Sequence, residues 1–426
     1  MTSFASLTSQ VFALDPLLIG EFGWAEVGIV VLKAVVTFAI LLVSVMLMVW
    51  FERKLIADMQ HRFGPNRAGP FGLLQTLADG TKLFFKEDLV PDRADRVVFA
   101  LAPYLSLVPA FLTFAVVPIG GGFDGEKNGT VELFGKETYL QLADPPIGVL
   151  LILAMSSIAV YGIILAGWSS GSKYPLLGAV RASAQMVSYE AALGLSVVAV
   201  VLMAGSLSTH DIVLQQSGSG FDLFGDFGLP RWNLIATGVV PFVIFLISGT
   251  AEANRPPFDL VEAEQELVGG FNTEYSSIRF AFFYLAEFMN TVTLSAIIVT
   301  LFLGGPAGPT LAGPAWLWGI VWFVLKLFVF LFTFVWFRAT LPRLRYDQLM
   351  NLGWKVLIPL SLAWLLLLGA INIGRDEDWN LYVVMGASFA VLIIGWAAIA
   401  GALRVGQARH ADEEAADSGD TEGVLV

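Results

Sequence analysis

Six carboxylates, Glu252, Asp259, Glu262, Glu264, Glu266 and Glu274, crowd into Glu252–Tyr275 of a chain that is otherwise strongly apolar. Neighbouring carboxylates cannot all ionise in a low dielectric, so some titrate near neutrality, which is what a proton relay needs. Glu262 and Glu266 stand four apart and share a face if that stretch is helical. A solvated acidic loop is the plain alternative. Asn254-Arg255-Pro256-Pro257-Phe258 is rigid and can hold a cation beside these acids. Gly269-Gly270 permits a sharp bend, but nothing flanking it fits a nucleotide loop.

Four more ionisable groups sit inside apolar runs. Glu190 stands about ten residues into its run, ~15 Å deep at 1.5 Å per residue, and Lys326 is similarly central in its own. Each would cost roughly 2.5–3.5 kcal/mol there, so each should face the protein interior with a partner or water. A structural polar contact between helices is the plain alternative for both. Glu287, about seven residues in, could reach the acidic loop or the level of Glu190. Lys33 is near enough to an edge for its stem to snorkel to the interface. A second charged stretch, 52–88, reads ERKLIADMQHRFGPNRAGPFGLLQTLADGTKLFFKED.

The elements that must carry these groups are transmembrane helices. The 426 residues are 56% hydrophobic and 14% charged, with mean hydropathy +0.74, values outside the soluble range. Apolar runs of about 20 residues, enough to cross ~30 Å of hydrocarbon, predict nine spans: 27–50, 97–118, 146–167, 179–204, 233–251, 280–303, 315–337, 353–373 and 380–403. Pro103, Pro109 and Pro241 would kink two of them. The predicted fold is therefore an all-α polytopic membrane protein. Its parts are an N-terminal segment 1–26, a membrane domain 27–373 with long loops 51–96 and 252–279, an added helix within 374–403, and an acidic, disordered tail 404–426. The first segment has no basic n-region, so no cleavable signal is expected. Most Lys and Arg of the connecting loops fall on one side, which puts the N-terminus outside and the tail in the cytoplasm. Residues 69–86 alternate Leu and Phe with Asp79, Lys82 and Lys86, the pattern of an amphipathic helix lying in the interface.

Composition also excludes chemistry. Cysteine is absent and only His61, His210 and His410 exist, so no thiolate or iron–sulfur ligands are available, and no metal site or redox centre is expected in this chain.

The chain closely resembles the quinone-site membrane subunit of bacterial proton-pumping NADH:quinone oxidoreductase, respiratory complex I. The resemblance rests on the 52–88 stretch, on AEANRPPFDLVEAEQELVGGFNTEY at 251–275, on Glu287 in LAEF, and on FRATLPRLRYDQLMNLGWK at 337–355. It covers roughly residues 25–373. It implies a multi-pass subunit of the bacterial plasma membrane, at the junction with a hydrophilic arm, whose first loop (Arg53, Arg62, Asn66, Arg67, Gln75, Asp79, Lys82), with Arg255 and Phe258, lines or shapes a quinone chamber. The proton relay would comprise Glu190, Glu252, Asp259, Glu262, Glu264, Glu266, Glu274, Glu287 and Lys326. FMN and iron–sulfur clusters would reside only in partner subunits, and quinone would be the substrate. The family core has eight spans. The ninth and the acidic tail resemble actinobacterial members, which favours menaquinone over ubiquinone.

The rival readings are the membrane subunit of an energy-converting hydrogenase, a stand-alone proton-coupled secondary transporter, and a purely structural anchor. The fixed cytoplasmic loops argue against a simple carrier. Buried Glu190 and Lys326 argue against an anchor.

Overall fold

In the computed structural model the described residues are 15–18, 23–123, 128–217, 231–259, 267–310, 313–377, 386 and 390. The chain divides into two compact units, Met1–Ser361 and Leu362–Val426. In the second, the described residues are the later part of one helix, Glu377, Gly386 and Ala390. Apart from Gly386 and Ala390, the ninth span, 380–403, lies outside the described residues, as do the tail 404–426, the acids Glu262, Glu264 and Glu266, and 1–14 and 19–22 of the N-terminal segment.

The helices, in chain order, are α1 (Trp24–Met59), α2 (Gln75–Phe84), α3 (Arg96–Phe114), α4 (Gly148–Ser169), α5 (Lys173–Ala204), α6 (Thr209–Gln216), α7 (Asn233–Ala236), α8 (Val239–Glu252), α9 (Ser277–Phe302), α10 (Ala315–Thr340), α11 (Tyr346–Leu352) and α12 (Ile358–Asp376). Among the described residues seven helical stretches are long and apolar enough to cross a membrane, the last being the continuous run Tyr346–Gly374. An all-α membrane protein is what the structure shows, with one small exception. A two-stranded antiparallel hairpin, β1 (Thr130–Leu133) and β2 (Lys136–Tyr139), lies between α3 and α4. Phe134 and Gly135 both take positive φ, 52° and 78°, the backbone that a two-residue hairpin turn demands.

Two further expectations are modified. The predicted span 233–251 is not one helix. It breaks between α7 and α8 at Gly238, whose φ of 79° leaves the helical region. Pro103 and Pro109 both stand inside α3, a single helix as far as Phe114; neighbouring helices in a bundle can satisfy the backbone groups that a proline frees. Lys33 does not snorkel: its ammonium is buried and pairs with Asp15 at 2.6 Å and Thr138 at 3.0 Å.

Helix ends follow their local chemistry. Asp95 caps α3 by accepting the Val97 and Val98 N–H groups, and α5 stops at left-handed Gly205. The predicted amphipathic stretch forms a 3₁₀ turn, Pro70–Gly72, followed by α2. This helix buries no residue and exposes Leu77 and Phe84. The turn is tied to α1 by the Trp50 indole N–H donating to the Phe71 carbonyl at 3.0 Å, and α2 by the Thr76 hydroxyl donating to the Met46 carbonyl at 3.3 Å. Helix α9 forms the centre: 83% of its apolar window is buried, against 22% for α1 and 28% for α10. Around it pack α3, α1 and α10, while α4 joins α3 to α5 and α5 carries α8.

Candidate functional site

Glu52 ends the apolar part of α1 and is buried. Two arginines neutralise it. Arg338, in the last turn of α10, donates to its Oε1. Arg255 approaches its Oε2 at 3.3 Å. Arg255 is itself buried and reaches the other way through Nε, to Glu287 Oε1 and Thr291 Oγ1, both at 3.3 Å. Its guanidinium lies 4.1 Å from the centroid of the Phe288 ring. A planar fork with several fixed donors suits this bridging role as an ammonium would not. The local backbone puts it there. Helix α8 ends at Glu252, Asn254 turns at φ 51°, and the Arg255 N–H closes on the Thr250 carbonyl.

Beyond Glu287 opens a cavity of about 80 Å³ between α3, α4, α5, the end of α8 and α9. Its polar walls include Glu252, Glu287, Asn254, Asn272, Asn290, Ser106, Ser156 and Thr293. Three buried atoms on that wall, Ser106 Oγ, Asn272 Oδ1 and Thr293 Oγ1, have no hydrogen-bond partner among the described residues. A water molecule needs roughly 10–15 Å³ and two to four polar partners, so the space and the lining both suit a small water cluster. A second cavity of about 20 Å³ shares Ser156, Glu252, Ile152, Leu294 and Ile297 with the first. Its other walls, Val149, Leu153, Leu193, Val197, Phe245 and Leu301, are all apolar.

Consecutive serines on α4 serve two carboxylates. Ser156 Oγ donates to Glu252, and Ser157 Oγ donates to Glu190 on α5. Successive helical residues diverge by about 100°, so α4 presents one hydroxyl to α8 and the next to α5. Ser157 also lies 3.1 Å from the Leu153 carbonyl. A hydroxyl has one proton, so it can serve only one of these acceptors at a time.

Lys326 stands apart from the carboxylates named above. Its ammonium donates to three backbone carbonyls just past the end of α9: Leu303 at 2.8 Å, Gly305 at 2.9 Å and Ala307 at 2.8 Å. Three donors thus meet three acceptors. Losing a proton would aim a lone pair at a carbonyl oxygen. The three bonds favour the charged ammonium in the arrangement shown.

Of the loop acids, Asp259 is buried, with Arg343 at 3.6 Å, and Glu274 is half-buried beside Tyr275. In the first loop, Arg53 pairs with Asp79 at 2.7 Å and Gln75 donates to the same carboxylate at 3.0 Å. Arg62, Asn66, Arg67 and Lys82 are exposed, as are Phe63, Phe71, Phe84 and Phe85. Phe258 is buried against Tyr189. The structure therefore gathers Glu252 and Glu287 at one cavity, pairs Arg255 with Glu287, places Glu190 against the same helix α4 through Ser157, and gathers Arg53, Gln75 and Asp79 at the end of α1.

Sequence reasoning missed Glu52, Arg338, Ser156 and Ser157. Glu52 closes an apolar run and Arg338 closes another, a signal that was available. The serines carry none.

The family model for NADH dehydrogenase matches residues 32–369. Three relatives are all named as the same NADH-quinone oxidoreductase subunit. One from Frankia alni is 51% identical over 419 residues, 97% of this chain and 87% of its own. One from Frankia casuarinae is 52% identical over 392 residues, 90% and 81%. One from Streptomyces avermitilis is 47% identical over 397 residues, 91% and 83%.

Proposed function

The chain belongs to the NADH dehydrogenase family, as a membrane subunit of the proton-translocating NADH-quinone oxidoreductase complex, and on that premise we propose that it walls a quinone chamber and begins the proton route leading from it. The observation that carries the proposal is the continuous arrangement from Glu52 through Arg255 to Glu287 and the polar cavity holding Glu252.

The chamber wall would be the end of α1 with α2. There the Arg53–Asp79–Gln75 cluster is flanked by exposed Phe63, Phe71, Phe84 and Phe85. A quinone needs both surfaces, an apolar one for its tail and a charged one for its head. With no cysteine for clusters, this chain would carry no electrons itself; the quinone would receive them from partner subunits that hold FMN and iron–sulfur centres. The chain's own work is electrostatic. Reduction places negative charge beside the arginines, and one unit at 4 Å is worth ~4 kcal/mol at an effective dielectric of 20. Arg255 spans two carboxylates, Glu52 on one side and Glu287 on the other, so drawing its field toward the chamber loosens its hold on Glu287. Glu287 then takes a proton, and the cavity water offers a path to Glu252. From there α4 carries the hydroxyls that face Glu252 and Glu190. Moving a proton against the membrane field requires ~2.3 kcal/mol per 100 mV, which is within that electrostatic supply.

In this proposal Glu262, Glu264, Glu266, Asp259 and Glu274 feed the entrance, the N-terminus faces outward, the tail is cytoplasmic, and menaquinone is the preferred quinone.

The test is Glu252→Gln in the assembled complex in proteoliposomes. We expect quinone reduction to persist while proton translocation falls by at least tenfold. Wild-type values for both would remove Glu252 from the route.

A further inference from the structure

The two cavities follow α9. The first touches Glu287, Asn290, Thr293, Leu294 and Ile297, and the second reaches Leu301. Polar lining gives way to apolar lining along that line. Two residues past Leu301, the carbonyl of Leu303 holds the Lys326 ammonium. From Glu287 to Leu303 is sixteen residues of α9 and its cap, ~24 Å at 1.5 Å per residue. One formal charge therefore stands at the far end of a wet-to-dry path that begins at a carboxylate.

Helix capping alone does not ask for that charge. The neighbouring carbonyls at this end are satisfied by neutral amides. Gln216 Nε2 donates to Thr300 O at 3.0 Å and Leu301 O at 3.3 Å, and Asn233 Nδ2 donates to Leu301 O at 2.9 Å. An ammonium half-buried in an apolar span is costly where an amide is not. The charge is also steadied by the Trp232 ring, 5.6 Å away.

We propose that Lys326 is an electrostatic barrier that stops protons in the carboxylate-lined cavity from leaking through the far end of the subunit. A fixed cation repels an arriving hydronium, as fixed positive ends do in pores that exclude protons. Past Ser156 and Glu252 the walls of the second cavity are apolar and offer such an ion little hydration before it meets the charge. The barrier rests on the reading that the first cavity carries protons, and it makes the route turn sideways, toward neighbouring chains.

The test uses the whole complex in proteoliposomes, without NADH, under an imposed potassium diffusion potential, with proton entry read by a pH dye. Lys326→Gln keeps an amide for the carbonyls but removes the charge; its passive proton leak, read without turnover, should rise several-fold. Lys326→Arg should stay tight. A Lys326→Gln complex that is active and as tight as wild type overturns the proposal. Should Lys326→Gln not assemble, Trp232→Glu decides. It leaves the ammonium bonded and sets a countercharge beside it. It should leak, and tight vesicles would overturn the barrier equally. Pumping by Glu252→Gln in the same vesicles separates the two readings, since normal pumping there removes the route whatever Lys326 does.

Discussion

Ser157 holds one proton between two acceptors, Glu190 and the Leu153 carbonyl. While Glu190 is ionised it takes the stronger, charge-assisted bond; once protonated, it can donate to Ser157 Oγ and leave the hydroxyl to Leu153. A hydrogen bond to a charged group is worth about 1.5–3 kcal/mol. Ser157→Ala should therefore slow coupled turnover by about tenfold or more, and Ser157→Thr should restore it. Equal turnover in all three would show the hydroxyl to be idle. A second titratable group lies outside the spans. Burial pushes the Asp144 carboxyl up to about 6 from 3.8, with Ser208 opposing and Asp211 adding. The folded chain thus binds this proton more tightly than the unfolded one. Stability falls as pH rises from about 4 to about 6, by up to about 3 kcal/mol, and is level above. Amide exchange of the β-hairpin should show protection declining over that range, and Asp144→Asn should abolish the trend; an unchanged trend in the variant would exclude Asp144 as its source. Charge inside an apolar run is conspicuous, so Glu190, Glu287 and Lys326 are legible in the sequence. Their partners are not. Arg338 meets Glu52 across 286 positions and Arg255 meets it across 203, and only the folded chain sets those pairs. The serines are ordinary residues of an apolar helix until α8 and α5 are packed against it.

At the scale of elements, one close approach fixes the cavity wall. A Cβ on Gly178 of α5 would stand 2.7 Å from Gly270 Cα and 2.9 Å from the Phe271 nitrogen. Both atoms belong to the 3₁₀ turn Gly270–Asn272, which supplies Phe271 and Asn272 to the cavity. Backbone cannot yield as a side-chain tip can. Gly178→Val should destabilise this junction by about 1–3 kcal/mol, the usual range for overpacking, and lower quinone reductase activity in step with assembly. A fully assembled and active Gly178→Val complex would show that the turn moves freely. Long apolar runs made α1, α3, α4, α5, α9 and α10 legible, and alternating charge made α2 so. The break at Gly238 and the hairpin turn at Phe134-Gly135 were not legible. Both depend on left-handed backbone, which apolar periodicity does not report. The start of the last long helix at Tyr346 was also missed, because its first turns are polar and read as loop.

For the whole molecule, burial sorts the helices. Helix α9 is enclosed, whereas α1 and α10 expose Val35, Val36, Val43, Val324, Phe328 and Val329. A lipid-borne photoreactive probe should label α1 or α10, wherever partner chains leave them bare, and spare Ile298 and Val299 of α9. Labelling of α9 at the level of α1 would contradict this arrangement. The enclosure has a mechanical corollary. A rod gripped on every side cannot act as a piston, because any stroke along its axis would shear the aromatic and aliphatic packing around it and tear its capped end from Gln216, Asn233 and Lys326. In the proposed route, messages along this axis would travel as relocated charge in a stationary frame, more like current in a wire than like a lever.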